Sequence, residues 1–384
     1  MGHSLEVNGI NSNDYGVIIS GGGTYATPRR KVTSTQVPGR NGDIQYDESA
    51  FENCIVTYPC GIAKGFESDY LPFIRKLKAQ PVYSKITDTY HPQYFRYGTV
   101  IEEMVPEVGT ILRSGKFDLQ FDCKPQRFLT SGDTPTSYTP TPKTLPTTYS
   151  FADFPEGFQN QLITLARDAG YTTSQIQNME FLIGTGASTS ATQVSVEVES
   201  MDPFFAIYAN QDPLNYVWSI MSQTGASYLK NFPLSKGLIT WTSANVWVVI
   251  ARVPEAKIYI DSTLALDYDY FNEFSLTNPT DYTAQPLIRA EVSATFDDYL
   301  FGINGCYLRY NAAAVTEGVT ALTLDADTMN CYALPADNAT GEIVNCNKYV
   351  ELSNWSLSLE PGANDILVGN YCDKLDVTPR WWTL

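Results

Sequence analysis

Pro379-Arg380-Trp381-Trp382-Thr383-Leu384 is the most telling stretch of this chain. Two adjacent tryptophans have to be covered, because each indole can bury on the order of 150–250 Å². At roughly 25 cal/mol per Å² that is about 4–6 kcal/mol per ring as an upper bound, too much to leave on a frayed end. The segment is therefore expected to be a last strand docked into a β core, or a contact surface for another subunit. The rest of the composition agrees with β structure: 25 Tyr, 18 Phe, 26 Gly and 22 Pro stand among 384 residues. Such a mixture favours strands and turns over helices, and the length is that of two or three domains. A mainly β fold, all-β with minor helices, follows.

The net charge of −17 is unevenly placed. Residues 1–130 hold 14 Lys+Arg and 14 Asp+Glu, whereas residues 131–384 hold 11 and 28. An acidic surface repels phosphate, which argues against direct nucleic-acid binding. The cluster Arg29, Arg30 and Lys31 reads as a solvated turn or as a small face for an acidic partner. No run of 18 apolar residues occurs, and Met1 to Val7 lacks the basic and apolar parts of a signal peptide, so neither membrane insertion nor Sec-type secretion is expected. Seven cysteines, Cys54, Cys60, Cys123, Cys306, Cys331, Cys346 and Cys372, contain no CxxC pair. That spacing fits neither a zinc site nor a compact disulfide framework, and buried reduced thiols made in a cytoplasm are expected.

Residues 1–131 open with a strand over 5–10 and a turn over 11–13. Gly21, Gly22 and Gly23 make a joint, not a phosphate loop, since no Lys-Ser or Lys-Thr follows. In Val37-Pro38-Gly39-Arg40-Asn41-Gly42-Asp43 the Pro-Gly and Asn-Gly pairs supply turn geometry between strands. A strand is expected over 51–59. A helix is expected over 66–79, capped by Ser68 and stopped by Pro81, with Tyr70, Phe73, Ile74 and Leu77 on one face. The segments PGRNGD (Pro38 to Asp43), DTYHPQYFR (Asp88 to Arg96) and FDCKPQRFL (Phe121 to Leu129), with the helix between the first two, resemble landmarks of the siphophage distal tail protein (Dit) family. The terminal PRWWTL resembles the same family. The resemblance implies an N-terminal belt domain whose six copies close into a homo-hexamer ring, joining the tail tube protein to the baseplate hub or tail-associated protein.

Residues 271–384 resemble that family's second domain, a galectin-like β-sandwich, in NPTDYTAQPLI (Asn278 to Ile288) and LEPGAN (Leu359 to Asn364). Alternation supports strands on its own: Leu322 and Leu324 face one way and Thr323 the other, and residues 307–310 alternate around Arg309. The sugar-binding runs of true galectins, His-x-Asn-x-Arg and Trp-x-x-Glu-x-Arg, are not found; Ser358 stands where Trp355 would need Glu. Sandwich shape alone therefore implies no sugar site. Between the two regions lie residues 132–270, a Thr/Pro-rich linker over 134–148 and then an inserted accessory domain, α+β or β-rich. Phe158, Leu162, Leu165 and Ala169 share a helical face, Val194 to Val198 alternate as a half-buried strand, and two strands, 245–253 and 256–261, meet at Pro254-Glu255. The resemblance makes this insert a candidate for binding host cell-surface polysaccharide.

Trp218, Trp241 and Trp247 are the candidate glycan-stacking residues, with core packing as the competing explanation, above all for Trp247 inside an apolar run. Arg40, Tyr90, Tyr94 and Phe95 are candidate ring or hub contacts, and Phe95 is as readily belt core. The pairs Asp267/Asp269, Asp297/Asp298 and Asp325/Asp327 offer the two carboxyls of a glycoside hydrolase, but an acidic chain places such pairs on solvated turns. Asp325, Asp327 and Asn330 lack the glycine of a calcium loop, and only His3 and His91 could serve a nucleophilic centre. No enzyme activity, metal or cofactor is expected. The resemblance implies a structural protein of a phage tail tip or baseplate, synthesised in the host bacterial cytoplasm. Its alternatives are a stand-alone glycan-binding adhesin and a polysaccharide hydrolase located in the insert.

Overall fold

The computed structural model describes residues 2–20, 25–101, 103–109, 113–141, 143, 145–168, 171–187, 192–199, 205–209, 227–230, 235–241, 245–252, 255–260, 262–292, 297–311, 318–353 and 357–384. The chain is mostly strand with few helices, as its composition predicts. The first third forms one antiparallel sheet in the order Ile10–Asn11, Leu5–Val7, Ser84–Asp88, Tyr94–Val100, Ser114–Cys123, Cys54–Ile62, Val17–Ile19. Alternate residues of its two longest strands, among them Val56, Tyr58, Phe117, Leu119 and Phe121, point inward and are buried. Helix Phe66–Lys78 lays Phe66, Tyr70, Phe73 and Leu77 over them. The buried face is the expected one, but Ser68 is not the cap. Gly65 occupies that position at φ 74°, a left-handed conformation that favours glycine, and the Ser68 hydroxyl donates back to its carbonyl at 2.8 Å. The strand expected over 51–59 begins later, at Cys54, because the residues up to Phe51 belong to a separate hairpin. Gly21, Gly22 and Gly23 lie outside the described residues.

The last third supplies two antiparallel sheets around one shared core. One runs Thr136–Tyr138, Cys372–Thr378, Leu287–Val292, Ala321–Asp325, Asn330–Ala333, Val344–Asn345; the other runs Phe271–Asn278, Gly362–Gly369, Asp297–Ile303, Cys306–Asn311, Val350–Leu352. The edge strand Thr136–Tyr138 comes from within the Thr/Pro-rich stretch. Its Tyr138 is buried, and the Ser137 hydroxyl donates to Asp376 at 2.5 Å. Leu322 and Leu324 are buried as their alternation predicts, but Thr323 is buried too. It lies between Arg289 and Tyr332 across the sheet, two long side chains that flank it on the face where a lone strand would meet water.

The middle segment adds two further antiparallel sheets. Tyr149–Ser150, Glu180–Ala187, Asn245–Ala251, Phe205–Ala209 and Ser227–Lys230 form one; Ser235–Trp241, Thr192–Glu199, Glu255–Ile260 and Thr263–Asp269 form the other. The strands that meet at Pro254-Glu255 therefore part into different sheets. Val248 and Ile250 face a core shared with Ile258 and Ile260, while Val249 and Ala251 face Phe154, Phe158, Leu162 and Ile176 from the helical layer. Cover on both sides explains why this strand is an unbroken apolar run. Gly184 and Gly186 let the sheets approach, since a Cβ at either would sit 3.0 or 2.8 Å from the δ-carbon of Ile258 or Ile260. Entry and exit of the segment are tied together. Thr141 N donates to Asn272 Oδ1 at 3.1 Å, Lys143 N to Asn370 Oδ1 at 2.6 Å, and the Lys143 ammonium reaches Asp269 at 2.5 Å and the Phe271 carbonyl.

Beyond the strand Cys372–Thr378 the chain turns at Arg380, whose φ of 58° is left-handed, and crosses to the N-terminal sheet. There Trp382–Thr383 pairs with Arg127–Leu129, which pairs in turn with Tyr94 and Phe95. Trp381 is only 4% exposed and belongs to the sandwich core. Its carbonyl accepts from Leu129 N, and Arg380 N donates to the Gly132 carbonyl, both at 2.8 Å. A Cβ on Gly132 would stand 2.4 Å from the Trp381 nitrogen, so no larger residue fits without moving the backbone. Trp382 stacks on Tyr282 at 4.3 Å and its Nε1 donates to Thr283 O at 2.9 Å. Buried Asn278 donates to the carbonyls of Tyr282 and Leu359, and buried Asn364 ties the turn after Leu359 to Leu276. PRWWTL, NPTDYT and LEPGAN thus meet in one place, and the expected docked strand is formed within the chain. All seven cysteines are buried, with burial raising the thiols of Cys60, Cys123, Cys331 and Cys372 to about 12. No helix among the described residues is long and apolar enough to cross a membrane.

Trp381→Ala is expected to lower stability by about 3–5 kcal/mol, read as the shift in a chemical-denaturation curve. A second test concerns acid. Burial pushes the Asp376 carboxyl up, but hydrogen bonds from Lys374 and Ser137 and the charges of Lys374 and Arg289 outweigh it, and the net direction is down. A depressed folded value means that stabilisation is present above the unfolded carboxylate range of about 4 and is lost as pH falls through the folded value. Asp376→Asn should therefore destabilise the protein at pH 7 and shrink the loss of stability measured between pH 5 and pH 2, each about the transition near pH 4.

Candidate assembly surface

Arg30–Thr35 and Ile44–Phe51 pair as a two-stranded sheet, hydrogen-bonded to no other described strand. The turn between them is the expected one, with Gly39 and Gly42 both at φ 83°. Every residue from 29 to 49 is exposed, including Val32, Val37, Ile44 and Tyr46, the last at 71%. What holds this arm together is polar. The Arg30 guanidinium forks onto Asp47 at 3.0 and 2.5 Å, and the Thr33 hydroxyl donates to Glu48 at 2.7 Å. The Ser49 N–H, acting against a small burial effect, and the Arg30 hydrogen bond and charge hold the Asp47 carboxyl below its usual range. A lone two-stranded hairpin is marginal in water, and this one displays apolar side chains as well.

The same domain carries a groove of about 970 Å³. It is bounded by the edge strand Val17–Ile19, the end of Cys54–Ile62 and the strand Glu107–Gly109, and Ile18, Val105 and Val108 stand exposed along it, Val105 at 78%. Arm and groove are separate features of one domain, one projecting and one concave.

Arg40 sits at the tip of the arm, exposed. The three aromatic candidates lie elsewhere. Tyr90 stacks on His3 at 3.7 Å and its hydroxyl donates to Ile19 O at 3.3 Å. Half-buried Tyr94 carries the Arg127 guanidinium over its ring at 4.2 Å. Phe95 is buried and stacks on Phe128 at 5.4 Å, its partner in the strand register. Tyr94 and Phe95 lie on the strand that pairs with Arg127–Leu129, the strand that receives the terminal segment. His91 donates its N–H to Asp88, and its Nε2 is buried without a partner. Asp88 also accepts the Tyr58 hydroxyl at 2.9 Å, and burial first, then the Asp88 charge, pushes that phenol far up.

Among the insert tryptophans, Trp218 lies outside the described residues. Trp241 ends the strand Ser235–Trp241, opposite Thr192, and Trp247 is half-buried between Thr185 and Ala209 in the other sheet. Of the carboxylate pairs, Asp325 is held by Arg380 at 2.6 Å and Asp269 by Lys143. The sequence reading missed the isolation of the arm. Its signal was there: Arg30 to Thr35 and Ile44 to Ser49 carry too few apolar residues to cover a sheet face from either side.

No family model matches the chain, and no curated protein matches it. Among solved structures it is similar to the SPP1 Dit protein, described as a paradigm of the hub adsorption apparatus in phages infecting Gram-positive hosts. That match has 10% identity and a TM-score of 0.29, covering 67% of this chain and 100% of that one. The chain is also similar to one in the phage P2 baseplate in its activated conformation with calcium, at 6% identity and TM-score 0.41, covering 98% of each. For the same baseplate with strontium the identity is 7%, the TM-score 0.40, and the coverage 98% of this chain and 96% of that one.

Proposed function

We propose that this protein is a structural hub of a siphophage tail tip, acting as a distal tail protein and not as an enzyme. The carrying observation is the arm, an isolated hairpin with exposed apolar side chains on a domain that also bears a groove along which Ile18, Val105 and Val108 stand exposed. Such a pair of unlike surfaces is what a head-to-tail contact requires, and heterologous contacts close into a ring when the rotation closes. In this reading the N-terminal domains form the homo-hexamer, with Arg40 and the arm at the contact and Tyr94 near the hub-facing side. The ring joins the tail tube protein to the baseplate hub or tail-associated protein. The sandwich, galectin-like by its sequence resemblance, stands outside the ring and carries the insert, whose Trp241, Trp218 and Trp247 would stack on host cell-surface polysaccharide. Six weak sites held on one ring act together through avidity.

Mass photometry of the full chain at low salt and micromolar concentration is expected to give hexamers. The double change Val32→Asp and Tyr46→Asp, which removes apolar surface only from the exposed arm, is expected to give monomers with unaltered thermal unfolding of the remainder. A wild-type chain that stays monomeric would remove the ring from the reading and favour a stand-alone adhesin. For the insert, Trp241→Ala should reduce retention of the full chain on purified cell-wall polysaccharide several-fold, with no reducing sugar released by wild type or variant; release of sugar would favour the hydrolase.

A further inference from the structure

Where the terminal segment crosses to the N-terminal sheet, a cleft of about 380 Å³ remains between the sheet and the sandwich. One wall is aromatic. Tyr97 and Phe128 meet edge to face at 5.4 Å, and Trp382 is the cross-strand neighbour of Phe128 on the terminal strand. Most polar groups around the cleft already have partners: Asp325 holds Arg380, Asp133 holds Lys85, and the Lys124 ammonium lies over the Tyr83 ring at 5.4 Å. Two of the groups without a partner are acceptors in different settings. The Oε1 of Gln126 is buried with no hydrogen-bond partner, and the exposed Asp327 carboxylate has none among the described residues.

An unpaired buried amide oxygen is costly, and the terminal torsion of glutamine is broad enough to turn that oxygen into the opening. The cleft therefore offers flat ring faces beside two hydrogen-bond acceptors that lack donors. A purely apolar ligand would leave Gln126 unsatisfied. An anion would meet the Asp327 carboxylate, and of the two cations that line the cleft beside it Arg380 is paired to Asp325 while the Lys124 ammonium lies over the Tyr83 ring. A ring with one apolar face and a rim of hydroxyl donors satisfies both walls, and the volume lies within the range of small-ligand sites at domain junctions. We propose that this junction cleft binds one uncharged pyranose unit of a glycan, its C–H face on Tyr97 or Trp382 and its hydroxyls donating to Gln126 and Asp327. The site uses none of the insert tryptophans, and it stands whether or not the chain forms a ring.

The experiment is saturation-transfer NMR on the full chain with four probes: methyl α-glucopyranoside, methyl α-galactopyranoside, N-acetylglucosamine and rhamnose. Saturable binding of at least one is expected, weakened about tenfold or more by Gln126→Leu and by Asp327→Ala and unchanged in Glu342→Gln, an exposed change outside the cleft lining. Asp327 is exposed, so its variant keeps the test valid even if Gln126→Leu disturbs folding; thermal unfolding of both variants reports on that. Two outcomes would overturn the proposal: no saturable binding of any of the four sugars by wild type, or binding that survives Asp327→Ala and is lost in Trp241→Ala, which would put the sugar in the insert.

Discussion

The pairing of Trp382–Thr383 with Arg127–Leu129 is the contact on which the architecture turns. It adds main-chain hydrogen bonds to the N-terminal sheet while the preceding residue, Trp381, sits in the core of the sandwich. One short segment thus belongs to two packing units at once, and neither can move against the other without exposing an indole or breaking a strand. The loop it closes is very long, yet closure entropy grows only with the logarithm of loop length. Burial of one large aromatic side chain is of the right size to offset the extra cost. The polar parts reinforce the same point: Arg380 holds Asp325, Asn278 and Asn364 fix the turns beneath, and Gly132 leaves room for the crossing backbone.

With that frame rigid, the remaining elements divide by what they lack. The arm of Arg30–Thr35 and Ile44–Phe51 lacks a core of its own, and an ion pair and a hydroxyl hold it in shape. Exposed ion pairs contribute little to stability, so these contacts set the hairpin's geometry more than its strength. The insert, in contrast, has helices on one face of its first sheet and a second sheet on the other, and it also shares apolar contacts with the sandwich through Tyr268, Tyr270 and Phe271.

Much of this was readable from residue patterns, and the failures have physical causes. The buried face of helix Phe66–Lys78 followed from 3.6-residue spacing, and the docked terminal strand followed from the cost of exposing two indoles. The Ser68 cap failed because a glycine in a left-handed conformation opens the helix, a conformation that spacing does not reveal. The alternation around Thr323 said which way it faces but not that it is buried, because that burial comes from cross-strand neighbours far away in sequence, Arg289 and Tyr332. The strand Thr136–Tyr138 was hidden in a composition that suggests only extended chain, since its partner lies more than two hundred residues later. Likewise Phe95 and Tyr90 carried no mark telling an intrachain ring contact from a surface one; their partners, Phe128 and His3, are distant in sequence.

The knot of bonds among Thr141, Lys143, Asn272 and Asn370 places both ends of the middle segment at a single spot on the sandwich. Two chain ends held side by side make a socket. The strand Phe271–Asn278, which carries Asn272, and the strand Gly362–Gly369, which Asn370 directly follows, also pair with each other, so the socket is built on a continuous ladder. A change in the part of the middle segment remote from this spot leaves those bonds intact, provided that an apolar patch still meets Phe271.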